Sequence, residues 1–431
     1  AEAIARRLFH PVRPITAFHS HRLYHGHIRI PETGARIDEV LLTLMKAPRS
    51  YTGEDVVEIH GHGGPVTLRA LLDEVVRAGA RPAGPGEFTR RAFLNGRLDL
   101  AQAEAVADLI HADSVPGAGL ALDHLEGRLS RAVAALYARI TDVLVLLEAA
   151  VDFAETEETA LDTDAVKSRI AGILSDLRTL LATHASGRIR REGIRAVILG
   201  RPNVGKSSLL NRLLGETRAI VTPIPGTTRD FIEESLLIEG IPVRLTDTAG
   251  IRQPENAIEA AGIAMVRDRL AAADAVILVL DGSEPLTRED EALLADVRGR
   301  PAVLAVNKAD LPPALTDDAL RTLCPERASQ WISAKTGRGI DALKALLYGV
   351  CGGGEPAPGD GALVGNLRHK LALEAAQRHL ERGGEALERG VSPECIALDV
   401  RDALHSLGEI TGETASPEIL DRIFAGFCVG K

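Results

Sequence analysis

Residues 200–207 read Gly-Arg-Pro-Asn-Val-Gly-Lys-Ser, directly after the apolar run Ala196–Leu199 and directly before an amphipathic segment. Two glycines spaced by four residues, then lysine and a hydroxyl, suit a polyphosphate. Glycine lets backbone N–H groups close on phosphate oxygens, and a helix start favours the anion. Lys206 can reach the β- and γ-phosphates, and Ser207, followed by Ser208, can give a hydroxyl to Mg2+. Asn203, Val204 and Gly205 complete the expected cradle. Further on, Pro225-Gly226-Thr227-Thr228-Arg229-Asp230 offers Thr228 as a hydroxyl that senses Mg2+ and the γ-phosphate. Asp247-Thr248-Ala249-Gly250 closes a strand-like run: Asp247 suits the magnesium side of such a site, usually through water, and the Gly250 N–H suits the γ-phosphate. Asn307-Lys308-Ala309-Asp310 ends the apolar run 301–306. A carboxylate at Asp310 can accept N1–H and N2–H of guanine, whereas adenine would present a lone pair to it. Ser333, Ala334 and Lys335 follow the next strand-like run and suit a backbone contact to the base.

These motifs in this order resemble the guanine-nucleotide switches of the Ras-like class, with Lys206 and Thr228 at the reacting phosphate. Many of that class place Gln directly after the glycine of the Asp-x-x-Gly motif to orient water; here the position is Ile251, which cannot do so. Arg229 and Arg252 are candidate arginine fingers and equally ordinary surface arginines. The transition state still needs a cation between the phosphates and a group that holds water. Asn203 has two readings: a ligand of a monovalent cation, with Thr222, Ile224 and Thr227 of the segment around Pro223 completing the shell, or a turn-stabilising asparagine. Glu259 likewise reads as a group that orients water or as an exposed helical glutamate.

The elements that must hold these residues follow from periodicity. Strand-like and helical runs alternate from Arg195 to Val350, which predicts a mainly parallel sheet. The exception is Phe231–Ile238 with Pro242–Thr246, joined at Gly240, which reads as an antiparallel hairpin. Residues 1–92 mix strand-like runs with one helix, 65–79. Residues 93–192 carry helical periodicity, as do 355–431, where Arg-Gly-Gly-Glu (382–385) and Arg-Gly-Val-Ser-Pro-Glu (389–394) are expected to break the helices. The sequence has 431 residues, 45% of them hydrophobic, enough for about two or three domains with real cores. No run of about 18 apolar residues predicts a membrane span. The beginning reads as mid-helix, lacks an apolar signal core and suggests that an N-terminal piece precedes it. Four cysteines with no Cys-x-x-Cys pair point to a reducing cytoplasm and away from structural zinc. A net charge of −10 gives no whole-protein attraction for nucleic acid, so any RNA contact needs a local basic surface. His19, His21, His25 and His27 alternate as strand residues do, with His60 and His62 further on, and converging metal ligands are not expected of them.

Two flanking stretches, SYTGEDVVEIHGHGGP (Ser50–Pro65) and AGPGEFTRRAFLNGRLDLAQAEAVADLI (Ala83–Ile110), together with the terminal FCVGK, closely resemble the tRNA-modification GTPase family MnmE, also written TrmE. The resemblance covers nearly the whole chain. It implies a multidomain α/β and all-α fold: an N-terminal folate-binding-type α/β domain (1–92) that also dimerises, a helical domain (93–192 plus 355–431), and a Ras-like P-loop G domain (193–354) inserted into the helical domain. Glu58, Arg97 and Lys431 match folate-contacting positions; Arg97 stands where many relatives have Lys, with its charge kept. An arginine on an early strand of the family lies ahead of residue 1. Asn203, Thr222, Ile224 and Thr227 match the family's K+ site, and Glu259 its water-orienting glutamate.

The resemblance also implies a cytoplasmic homodimer that works in a heterotetramer with the FAD-containing partner GidA (MnmG). That pair adds an aminomethyl-type group, or its carboxymethylaminomethyl form, to C5 of the wobble uridine (position 34) of certain tRNAs. A 5-formyl- or methylene-tetrahydrofolate supplies the carbon, the FAD sits on the partner, and K+-dependent G-domain dimerisation drives hydrolysis. Cys428 could add to C6 of a uracil ring, line the site, or be a small buried hydrophobe, the commonest role of a free cysteine. A ribosome-assembly or other RNA-binding GTPase would share the G motifs without the flanks. A folate-dependent one-carbon transferase with a regulatory G domain would share both.

Overall fold

A computed structural model of the chain describes residues 1–152, 162–216, 234–247, 270, 273–323, 327–352 and 361–430. The contacts divide it into two compact units, one of residues 1–107, 124–137 and 404–431, the other of 108–123 and 138–403.

In the first unit, strands β1 (Phe9–Pro11), β2 (Leu23–Arg29), β3 (Arg36–Met45) and β4 (Val56–His60) form an antiparallel sheet in sequence order. One face buries Ile28, Val40, Leu42 and Leu44 with Leu8, Phe9, Phe18 and Leu71, the last from helix α2 (Pro65–Arg77). His25 and His27 lie on β2, where His25 Nε2 is 2.6 Å from Glu39 Oε1. His19 and His21 precede the strand instead of continuing it: His21 has φ of 62°, a left-handed conformation that ends strand alternation. Helix α3 (Glu87–Leu94) and the C-terminal helix Pro417–Ala425 share a second core of Phe93, Leu98, Leu100, Phe424 and Phe427.

In the second unit, six strands take the order β10-β9-β8-β5-β7-β6: β5 (Ile194–Leu199), β6 (Glu234–Ile238), β7 (Ile241–Asp247), β8 (Ala275–Asp281), β9 (Ala302–Asn307) and β10 (Ser329–Trp331). All neighbouring pairs are parallel except β6–β7, the hairpin at Gly240, so both expectations for this sheet hold. β8 and β9 are buried along their whole length, the pattern of a sheet covered on both faces. The segments leading into and out of this sheet region pack together. Gly187 lies so close to Val364 that a Cβ there would fall 2.4 Å from its carbonyl oxygen, and Thr183 Oγ1 accepts the Val364 N–H at 3.0 Å.

The helix Leu367–Glu388 runs unbroken through Arg-Gly-Gly-Glu, contrary to the expected break. Gly383 is buried facing Ile396 and Asp399 of the neighbouring helix Pro393–Thr411, and Gly384 faces Ile170; close helix packing outweighs glycine's cost, about 1 kcal/mol against alanine. The chain does break where expected at Gly390, whose φ is 67°.

Candidate nucleotide-binding site

The described motif residues gather at the C-terminal edge of the six-stranded sheet, where ligands of open parallel sheets bind. β5 ends at Leu199 and the phosphate loop turns into α9 (Lys206–Glu216). The loop needs its glycines: Gly200 and Gly205 have φ of 151° and 98°, and a Cβ on them would fall 2.5 Å from Val279 O and 2.3 Å from Asn307 Nδ2. Asn203 also adopts a positive φ, 64°, which asparagine tolerates, and is exposed. Lys206 Nζ donates to the carbonyls of Gly200 and Arg201, both at 2.8 Å, so the ammonium sits inside the loop. Ser207 and Ser208 lie in the first turn of α9. β7 lies beside β5 with Asp247 opposite Ile198, which brings the backbone of Asp247 to the same edge.

The residues expected to read the base follow β9 and β10. Asn307 is buried and ties two motifs together: its Nδ2 donates to Val204 O at 2.8 Å and its Oδ1 accepts the Ala334 N–H at 3.0 Å. The Ala309 N–H bonds Ile332 O, and Ser333 Oγ donates to Asp310 Oδ1 at 2.7 Å. That bond, the largest influence, holds the exposed Asp310 carboxyl below the ordinary aspartate range and fixes one oxygen, so the group stays an acceptor. Arg212 of α9 holds the Ala334 and Lys335 carbonyls.

Several residues of the site lie outside the motifs. Asp281, at the end of β8, pairs with Lys308. Burial by itself would raise its pKa, but the bonds from Lys308 and Ser283 leave it lowered. Arg201 of the phosphate loop pairs with Glu284 at 2.5 Å and approaches Asp290 at 3.3 Å. Only the Asp-Gly-Ser run at 281–283, at the end of an apolar strand, hinted at the first.

Expected site residues Thr222, Pro223, Ile224, Pro225, Gly226, Thr227, Thr228, Thr248, Ala249, Gly250 and Glu259, together with the side chain of Asp247, lie outside the described residues, as does Lys431.

In the first unit, Arg97 donates to Ser50 O at 3.3 Å and lines a cleft of about 370 Å³ with His21, Met45, Arg49 and Tyr51. Glu58 lies on β4, 3.3 Å from His60, and does not line that cleft. The C-terminal residues fold back on the start of α3: the Gly86 N–H bonds Cys428 O at 3.3 Å and Pro85 bridges Val429. Cys428 itself is exposed, which rules out the buried-hydrophobe reading: the turn after the last helix leaves its side chain outside the Phe424–Phe427 core.

A phosphate loop, a shared strand edge and a carboxylate held as an acceptor define the second unit's sheet region as a Ras-like G domain, the site of a GTP-hydrolysing enzyme. Two family descriptions match around and across it: GTP-binding protein TrmE N-terminus over residues 1–97 and MnmE helical domain over residues 100–428. Proteins named tRNA modification GTPase MnmE are 48% identical in Syntrophus aciditrophicus and 46% identical in Heliobacterium modesticaldum, each match covering 100% of this chain and 94% of the relative. The G domain of the Thermotoga maritima FeoB iron transporter is similar at 26% identity, covering 36% of this chain and 98% of that one, with a TM-score of 0.29. The chain belongs to the MnmE (TrmE) family of tRNA-modification GTPases.

Proposed function

We propose that this chain hydrolyses GTP to drive modification of C5 of the wobble uridine in certain tRNAs, as a homodimer working with the flavoprotein GidA (MnmG). The observation that carries the reading is a guanine-reading site, with Asp310 held on Ser333, in a chain whose flanks match the TrmE N-terminal and MnmE helical regions. Those flanks speak against a ribosome-assembly GTPase, which would lack them. Among the described residues no helix is long and apolar enough to cross a membrane.

The residues present fit Mg2+: Ser207 opens α9 and Asp247 ends the adjoining β7 at the same edge. Bound there, with Thr228, the ion would neutralise phosphate charge. Asn203, open to solvent within the loop, fits K+, with Thr222, Ile224 and Thr227 as its other ligands; Glu259 would orient water. Lys206 holds the phosphates, Asp310 and the Ser333–Lys335 segment face the base, and Asn307 ties that segment to the phosphate loop. Arg97 supports a tetrahydrofolate reading of its cleft, because a guanidinium pairs with carboxylates in a forked geometry; Glu58 and Lys431 would act from β4 and the tail. The one-carbon donor would be a 5-formyl- or methylene-tetrahydrofolate.

Reconstitution tests this. Purified chain, flavoprotein partner, tRNA, folate and GTP should yield a C5-modified uridine 34, and a non-hydrolysable GTP analogue should not. Equal product with the analogue would refute the coupling.

A further inference from the structure

We propose that Asp281 is a positioning residue for the guanine nucleotide, acting through Lys308. Lys308 follows β9 in a left-handed conformation, φ 67°, rare for a non-glycine residue, which turns its side chain out of the strand line. Its Nζ lies 2.5 Å from Asp281 Oδ2, and the Asp281 side chain is only 2% exposed. The other oxygen, Oδ1, accepts Ser283 Oγ at 2.6 Å and the Ser283 N–H at 3.0 Å, so the carboxylate cannot swing away.

Its backbone is equally fixed. Asp281 stands opposite Asn307 in the β8–β9 register, the Gly282 N–H bonds Asn307 O at 2.8 Å, and a Cβ on Gly282 would fall 2.6 Å from the Trp331 ring. Asp281 thus holds one end of Lys308, while Asn307 and Asp310 on either side are tied to Val204 and Ser333. With its ammonium anchored, the four-carbon stem becomes a fixed apolar rod beside the carboxylate that reads the base edge, able to cover the base face. Asp281 does not itself reach the nucleotide; it removes the freedom of the side chain that would cover the base.

Release of a fluorescent GDP analogue and steady-state GTP turnover test the assignment. Loss of one charge-assisted bond corresponds to about tenfold. Asp281→Asn should therefore release GDP about tenfold faster and raise the KM for GTP by a similar factor, with kcat little changed. Lys308→Met should show the same loss, and the double variant should be no worse than Lys308→Met alone, because Asp281 then has nothing to position. Losses that multiply in the double variant, or GDP release within twofold of the parent in Asp281→Asn, would overturn the proposal. Should Asp281→Asn unfold, Ser283→Ala loosens the carboxylate while keeping its charge. Its smaller acceleration of GDP release should vanish in the Lys308→Met background, and persistence there would also overturn it.

Discussion

Replacing Asp310 by Asn tests the base-reading geometry at a single atom. Asp310 Oδ1 is occupied by the Ser333 hydroxyl at 2.7 Å, and the rest of the exposed carboxylate faces outward as an acceptor. Guanine can give it two N–H donors. Each charge-assisted bond corresponds to about tenfold in affinity, so removing both weakens GTP binding by about a hundredfold. The Ser333 hydroxyl keeps its oxygen partner in the variant, which leaves the new amide NH2 on the outward side. That group suits the 2-oxo oxygen of xanthine and opposes the donors of guanine, so preference should invert toward XTP. Competition of GTP and XTP against a fluorescent GDP analogue reads both numbers. GTP bound within threefold of the parent protein, with no gain for XTP, would refute the assignment of Asp310.

Glu259→Ala should lower kcat by about two orders of magnitude while leaving GTP and GDP affinity nearly unchanged, the mark of a group acting only in the transition state; lost nucleotide binding would make it structural. Gly205→Ala should break the phosphate loop, because its Cβ would fall 2.3 Å from Asn307 Nδ2, and isothermal titration should show GTP and GDP binding lost together. Burial, and secondarily Asp274, pushes the Cys351 thiol up to about 11 from an ordinary 9.0. At pH 8 its thiolate fraction is then about a hundredfold below an ordinary thiol's, and it appears only as pH rises through that higher value. Mass mapping after a thiol reagent at pH 8 should find the exposed Cys395 and Cys428 labelled well before Cys351. Gly86 has φ of 63° and sits where a Cβ would fall 2.8 Å from Phe424 O, so Gly86→Ala should loosen the C-terminal residues, seen as faster trimming by carboxypeptidase.

Local signals carried far in this sequence. The strand before the phosphate loop, the hairpin at Gly240 and the parallel order of the G domain could all be read because each element's pattern is complete within about ten residues. What escaped depended on contacts between distant segments. Asp281 precedes Lys308 by a whole helix and strand, and nothing in either motif says that they pair. Asn307 reads as part of a base motif, yet its amide also holds Val204 of the phosphate loop, a link that only the adjacency of strand ends creates. Arg-Gly-Gly-Glu looked like a helix breaker because propensity is local, whereas Gly383 is retained for the closeness it allows to Ile396 and Asp399. The histidines before β2 failed for a similar reason: spacing suggested a strand that the left-handed turn at His21 ends.

Turnover of GTP by the purified protein in KCl and in NaCl, with ATP as control, tests whether this G domain works with a monovalent cation at Asn203. GTP hydrolysis should be faster in KCl by about two orders of magnitude, a difference erased by Asn203→Ala, with no comparable ATP turnover. Equal GTP rates in both salts would contradict the cation assignment, and equal use of ATP would contradict the guanine site itself.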